Sequence, residues 1–172
     1  MRNAALLGAR LLLGGYMGIH ASQKLLGKFH GPGLEAISGV FEDNGLYPGR
    51  EMALAASATE IAGGVLTITG IADPVGPLAV AGAMAVAAAF NRERGLMAAR
   101  NGVELPVVYG TLALTLAATG AGKYKIGPAL PGRLAALGAL AGGVAAGALI
   151  AKMVTSKPAP PEPVTDPAEV DA

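Results

Sequence analysis

Five stretches of the chain run for sixteen to twenty residues with at most one charged side chain apiece. They cover about residues 4–21, interrupted by Arg10; 53–72, interrupted by Glu60; 75–90; 105–121; and 134–151. Each approaches the ~20 residues that a helix needs to cross about 30 Å of hydrocarbon. Helix is the reading these stretches allow. An open strand in lipid leaves its backbone groups unpaired, and the strict alternation of a barrel strand is missing.

Composition agrees. Only 15% of the residues are charged and 52% are hydrophobic, against roughly 25% charged in an ordinary soluble domain. A soluble chain of this size needs more polar surface than that. The net charge of +1 gives no basic balance for nucleic acid. With no Trp and four Tyr, anchoring at the membrane interface falls to Tyr, Lys and Arg. With no Cys, thiol redox, thiolate metal sites and iron–sulfur ligation are excluded, so electron chemistry requires a cofactor, a quinone or a partner.

Asp73-Pro74 followed by Gly76-Pro77 predicts a tight turn that makes the second and third spans a helical hairpin. Between the first and second spans, Leu34, Ile37, Val40 and Phe41 recur at helical spacing among Glu35, Glu42 and Asp43. That pattern predicts a short amphipathic helix lying in the interface. The fifth stretch carries Gly138, Gly142, Gly143 and Gly147 at four-residue spacing, suited to close helix packing. From residue 154 the chain is Pro-rich and acidic and is expected to be disordered. The first span, broken by Arg10 and without a convincing cleavage site, reads as an uncleaved anchor. Lys24, Lys28, Arg50, Arg92, Arg94, Arg100, Lys152 and Lys157 outnumber Arg2, Lys123, Lys125 and Arg133 on the opposite side. The excess places the N-terminus outside and the tail in the cytoplasm.

The expected architecture is therefore all-α. It is an integral four-helix membrane core over residues 1–127, with an interfacial helix between its first two spans. A fifth transmembrane helix over 128–153 and a tail over 154–172 follow.

Chemistry is sought where charge enters the membrane, because an ionised group there costs at least ~2.5–3.5 kcal/mol and is usually inward-facing and partnered. Glu60 is the main candidate. Tyr16, His20 and Lys24, spaced by four, form one stripe on the first helix leading to the side where the second begins. Asn91 ends the third span and Glu104 precedes the fourth on that same side. Tyr16, His20, Lys24, Asn91 and Glu104 are expected to converge with Glu60 on a pocket mouth where a buried acid beside Lys or His exchanges a proton with a quinone head group. Arg10 enters from the other side, about 10 Å from Glu60 along the normal. It joins the pocket only by reaching inward, and otherwise extends to the interface. Gly120-Ala121-Gly122-Lys123 is not a phosphate loop, which needs Gly at Ala117 and Ser or Thr at Tyr124. His20 and His30 do not make a bis-histidine haem site, since His30 lies in a loop. No metal site is expected.

These residues together resemble the DoxX family of small membrane proteins. The likeness rests on Arg10, Gly14-Gly15 and Gln23-Lys24-Leu25; on the segment from Phe41 to Gly49, FEDNGLYPG; on Glu60 with Gly63-Gly64 and Gly70; and on the closing Gly120-Ala121-Gly122-Lys123-Tyr124. The closing motif departs from the family's pattern, because Lys125-Ile126-Gly127 stand where Ser and Asp often follow. The resemblance implies a four-helix membrane fold in the cytoplasmic membrane of a prokaryote. It also implies association with quinone-linked oxidoreductases, as a quinone-interacting or accessory subunit with other protein subunits as partners. The alternatives are a non-catalytic scaffold that docks an enzyme and a small-solute or lipid-handling protein.

Overall fold

The computed structural model describes residues 1–131 and 134, and the expected fifth span and tail lie outside the described residues. Within them the chain is all-helical. The elements are α1 (Arg2–Leu26), α2 (Gly33–Asp43), α3 (Gly49–Thr69), α4 (Val75–Asn91) and α5 (Glu104–Thr119), with short 3-10 turns at Arg92–Arg94 and Ala98–Arg100. Three helices are long and apolar enough to cross a membrane: Arg2–Leu26, Gly49–Thr69 and the continuous Val75–Arg94, while Glu104–Thr119 is apolar but shorter.

The boundaries follow local chemistry. Gly70 closes α3 in a left-handed conformation (φ 70°) and its N–H returns to the Leu66 carbonyl, a capping arrangement that side chains with a Cβ adopt at a cost. Pro48 and Pro74 precede α3 and α4, where a missing N–H removes no helical bond. The third span gains length over its sequence reading because the turn after Asn91 continues its axis through Arg94.

Packing joins α1 to α3, α3 to α4 and α4 to α5, with α5 closing back on α1. Leu13, Met17, Val80, Met84, Tyr109, Ala113 and Leu116 fill the centre. The closest approach is between α1 and α3. A Cβ on Gly14 would stand 2.6 Å from the Gly64 carbonyl, and one on Gly64 would meet the Gly14 carbonyl at 3.1 Å. Two glycines facing each other therefore let these backbones touch, as small residues do between helices in lipid. The outward faces carry Leu11, Leu12, Ile61, Val65, Val107, Val108 and Leu114, each more than two-fifths exposed. In water such a belt is a liability, whereas in a bilayer it is the lipid-facing surface. The amphipathic segment is helical over Gly33–Asp43, has no buried residue, and rests on α3 and α1.

Candidate functional site

The site is built where the middle of α3 faces the last two turns of α1. Ser57, Glu60, Gly64 and Thr67 are among the buried positions of α3, and their three- and four-residue spacing puts them on the face turned to α1. Glu60 is 5% exposed. Lys24 comes from near the C-terminal end of α1 and places Nζ 2.5 Å from Glu60 Oε1, with the lysine side chain 20% exposed. The long lysine stem reaches the acid while its root stays near the membrane surface. The other carboxylate oxygen, Oε2, is buried without a hydrogen-bond partner, as is Ser57 Oγ one turn earlier.

Aromatic groups flank this pair. Tyr109 of α5, 8% exposed, lies with its ring centroid 5.3 Å from Tyr16 and 5.6 Å from His20, the latter edge-on at 69°. His20 is half-buried and within electrostatic range of both Glu60 and Lys24. Tyr16 is 42% exposed, so the aromatic group extends from the lipid-facing surface of α1 toward the buried pair. The arrangement offers a carboxyl group held by a lysine with one open acceptor oxygen, a histidine, and a ring-stacking surface.

Four of the expected residues thus meet: Tyr16, His20, Lys24 and Glu60. Three do not. Asn91 is half-buried at the end of α4, with no side-chain hydrogen bond to the pair. Glu104 is exposed, and its Oε2 accepts the Ala98 N–H at 2.8 Å, so it fixes the loop between α4 and α5. Neither side chain bonds to Lys24 or Glu60, which pair with each other. Arg10 lies at the other end.

Arg10 neither joins the pair nor extends to the interface. It is 2% exposed. Its Nε donates to the Thr67 carbonyl at 2.7 Å, Nη1 to the carbonyls of Ala121 at 2.8 Å and Tyr124 at 2.5 Å, and Nη2 to that of Ile68. The fork of guanidinium donors thereby ties the last turn of α3 to the segment after α5. Asp73 adds a second tie, accepting the Ala121 N–H at 3.0 Å. Ile126 N–H donates to the Thr69 carbonyl and Lys123 N–H to Asn3 Oδ1. The Gly120-to-Tyr124 segment is accordingly a clasp across the end of the bundle.

Two residues of the site escaped the sequence reading. Tyr109 sits among apolar neighbours in α5, far from α1 in sequence, and carries no local signal. Ser57 precedes Glu60 by three, a spacing that does place it on the same face. Two surface cavities lie elsewhere. One of about 330 Å³ is lined by Asn44, Ala89, Phe90, Arg92 and Glu93. An apolar one of about 220 Å³ lies between α4 and α5 beside Met84 and Gly110. Among the described residues no group of three or more His, Asp or Glu is placed to hold a metal ion.

A family model described as DoxX matches residues 5–92, just over half of the chain. The match spans α1 to α4 and stops before α5 and the clasp. No curated protein and no solved structure matches the chain.

Proposed function

This chain belongs to the DoxX family, and from that premise we propose that it is a quinone-interacting subunit of a membrane oxidoreductase complex, with the Lys24–Glu60 pair as its proton-handling site. The observation that carries this reading is the open acceptor: Glu60 Oε2 is buried without a hydrogen-bond partner, in a setting where an unpaired polar group is costly. Ser57 Oγ is in the same state. Two buried oxygens without hydrogen-bond partners, one turn apart on α3, and the paired Tyr16 and Tyr109 rings fit a flat ring bearing hydroxyl or carbonyl oxygens.

A quinone interconverts with its quinol by two electrons and two protons, and the electrons belong to the partner enzyme. What this chain supplies is position and protons. Lys24 fixes the position of the Glu60 carboxyl by direct ion pairing at Oε1. Glu60 takes or returns a proton at Oε2, and His20 links the pair toward the membrane surface on the Lys24 side. Tyr16 and Tyr109 present a stacking face reached laterally from the lipid. The helix α5 completes the membrane core as a fourth span, α2 lies in the interface, and the lysine and arginine excess places the N-terminus outside a prokaryotic cytoplasmic membrane.

One observation favours a competitor. Lys24 Nζ finds its partner, Glu60 Oε1, within the chain, and neither surface cavity is lined by either residue, as in a scaffold whose charges only hold helices together. Mild-detergent capture from native membranes, followed by quinone-dependent turnover of the retained complex, separates the two. Turnover lost in Glu60→Gln with the partners still attached supports the quinone site. Partners retained at full turnover in that variant support the scaffold.

A further inference from the structure

We propose that the loop joining α4 to α5 is a binding surface for anionic phospholipid head groups. The loop follows Val75–Arg94, which is long and apolar enough to cross a membrane, and precedes the shorter apolar helix Glu104–Thr119; with α5 read as the fourth span proposed above, it lies at the bilayer surface. It is not a slack connection. Val103 N–H donates to the Gly95 carbonyl, Glu104 N–H to that of Leu96, and Gly102 and Arg100 N–H groups to that of Met97, all at 2.9–3.0 Å. Glu104 Oε2 binds the Ala98 N–H from the other side.

This bracing leaves two adjacent apolar side chains outside. Leu96 is 66% exposed and Met97 is 63% exposed, on a backbone pinned by these hydrogen bonds. At a membrane surface the apolar phase within reach is the boundary between head groups and acyl chains, where amphipathic segments seat such residues. The charges flanking them have the complementary sign. Arg92, Arg94 and Arg100 are all exposed. Arg92 stands 3.8 Å from Glu93, whereas Arg94 and Arg100 have no acidic partner within 4 Å among the described residues. A leucine–methionine wedge bordered by two guanidinium groups that have no acidic partner among the described residues fits a lipid phosphate with an unbalanced negative charge. Each arginine near such a surface is worth about 1 kcal/mol, or about a fivefold preference.

The absence of Trp from the chain makes the test direct. Met97→Trp places a single fluorophore on an exposed position of the full-length protein, reconstituted in vesicles of phosphatidylcholine with or without phosphatidylglycerol. Brominated phosphatidylglycerol is expected to quench it several-fold more than brominated phosphatidylcholine at equal mole fraction. Adding Arg94→Gln and Arg100→Gln is expected to remove that preference while quenching by depth persists. Equal quenching by both lipids in the parent loop overturns the head-group assignment. An unquenched, water-like emission overturns the membrane contact altogether, and blue-shifted emission without quenching overturns it as well by placing the wedge against protein, in a contact between copies of this chain. Circular dichroism of each variant confirms that the helices are retained.

Discussion

Lys24 and Glu60 stand on different helices, thirty-six positions apart in the chain, yet Nζ and Oε1 lie 2.5 Å from each other. The pair fixes the register of α1 against α3 at the Lys24 end of the bundle, as Gly14 facing Gly64 does nearer the other end.

Breaking one half of this pair strands the other. Glu60→Ala and Lys24→Met are each expected to destabilise the detergent-solubilised protein by about 2–3 kcal/mol, the low side of a buried pair because Lys24 is partly exposed. The double variant is expected to cost well below the sum of the two, since it removes both charges together. Thermal or denaturant unfolding of the three proteins measures the coupling, and strict additivity would show that the contact contributes nothing.

Removing the clasp acts at the far end. Arg10→Gln leaves the carbonyls of Thr67, Ile68, Ala121 and Tyr124 short of donors, at roughly 1–3 kcal/mol for each that finds no substitute. A loss of about 3 kcal/mol or more is expected, with amide exchange of residues 121–126 accelerated beyond that of α3. Arg10→Lys is expected to rescue little, because an ammonium has three donors and no planar fork. Unchanged exchange in this segment would remove Arg10 from the role of its anchor.

Adjacent glycines give an internal control. A side chain at Gly14 runs into Ile68 and the Gly64 carbonyl, while a Cβ at Gly15 meets nothing within 4 Å. Gly14→Val is expected to lower stability by about 1–3 kcal/mol through forced separation of α1 and α3. Gly15→Val, facing outward, is expected to shift it by less than about 1 kcal/mol. Comparable melting temperatures for the two variants would contradict the packing described between these helices.

The apolar runs made the helices legible, because a chain that must satisfy its backbone in lipid has few alternatives to helix. The Tyr16, His20 and Lys24 stripe was legible for a similar reason, since four-residue spacing fixes a helix face before any neighbour is known. In the sequence, depth alone links Asn91 and Glu104 to the site. Sequence gives the membrane side of a helix end but not its position around the bundle, and Glu104 bonds its own loop instead. Arg10 was legible as an intramembrane charge but not in its role. Its partners are main-chain carbonyls at Thr67, Ile68, Ala121 and Tyr124, and a carbonyl carries no residue-type signature. The motif Gly120-Ala121-Gly122-Lys123-Tyr124 is visible in the sequence, but its use as a clasp depends on Arg10 bonding across to it.

Whether the Lys24–Glu60 site takes a quinone is most directly measured by photolabelling the intact protein in native membranes with an azido-quinone and mapping the modified peptides. Labelling is expected on the peptides carrying Tyr16 to Lys24 or Tyr109, competed by unlabelled quinone and reduced about tenfold in Glu60→Gln, a loss equivalent to about 1.4 kcal/mol. Labelling that is absent from these peptides, or equal in the folded Glu60→Gln variant, would contradict a quinone site there.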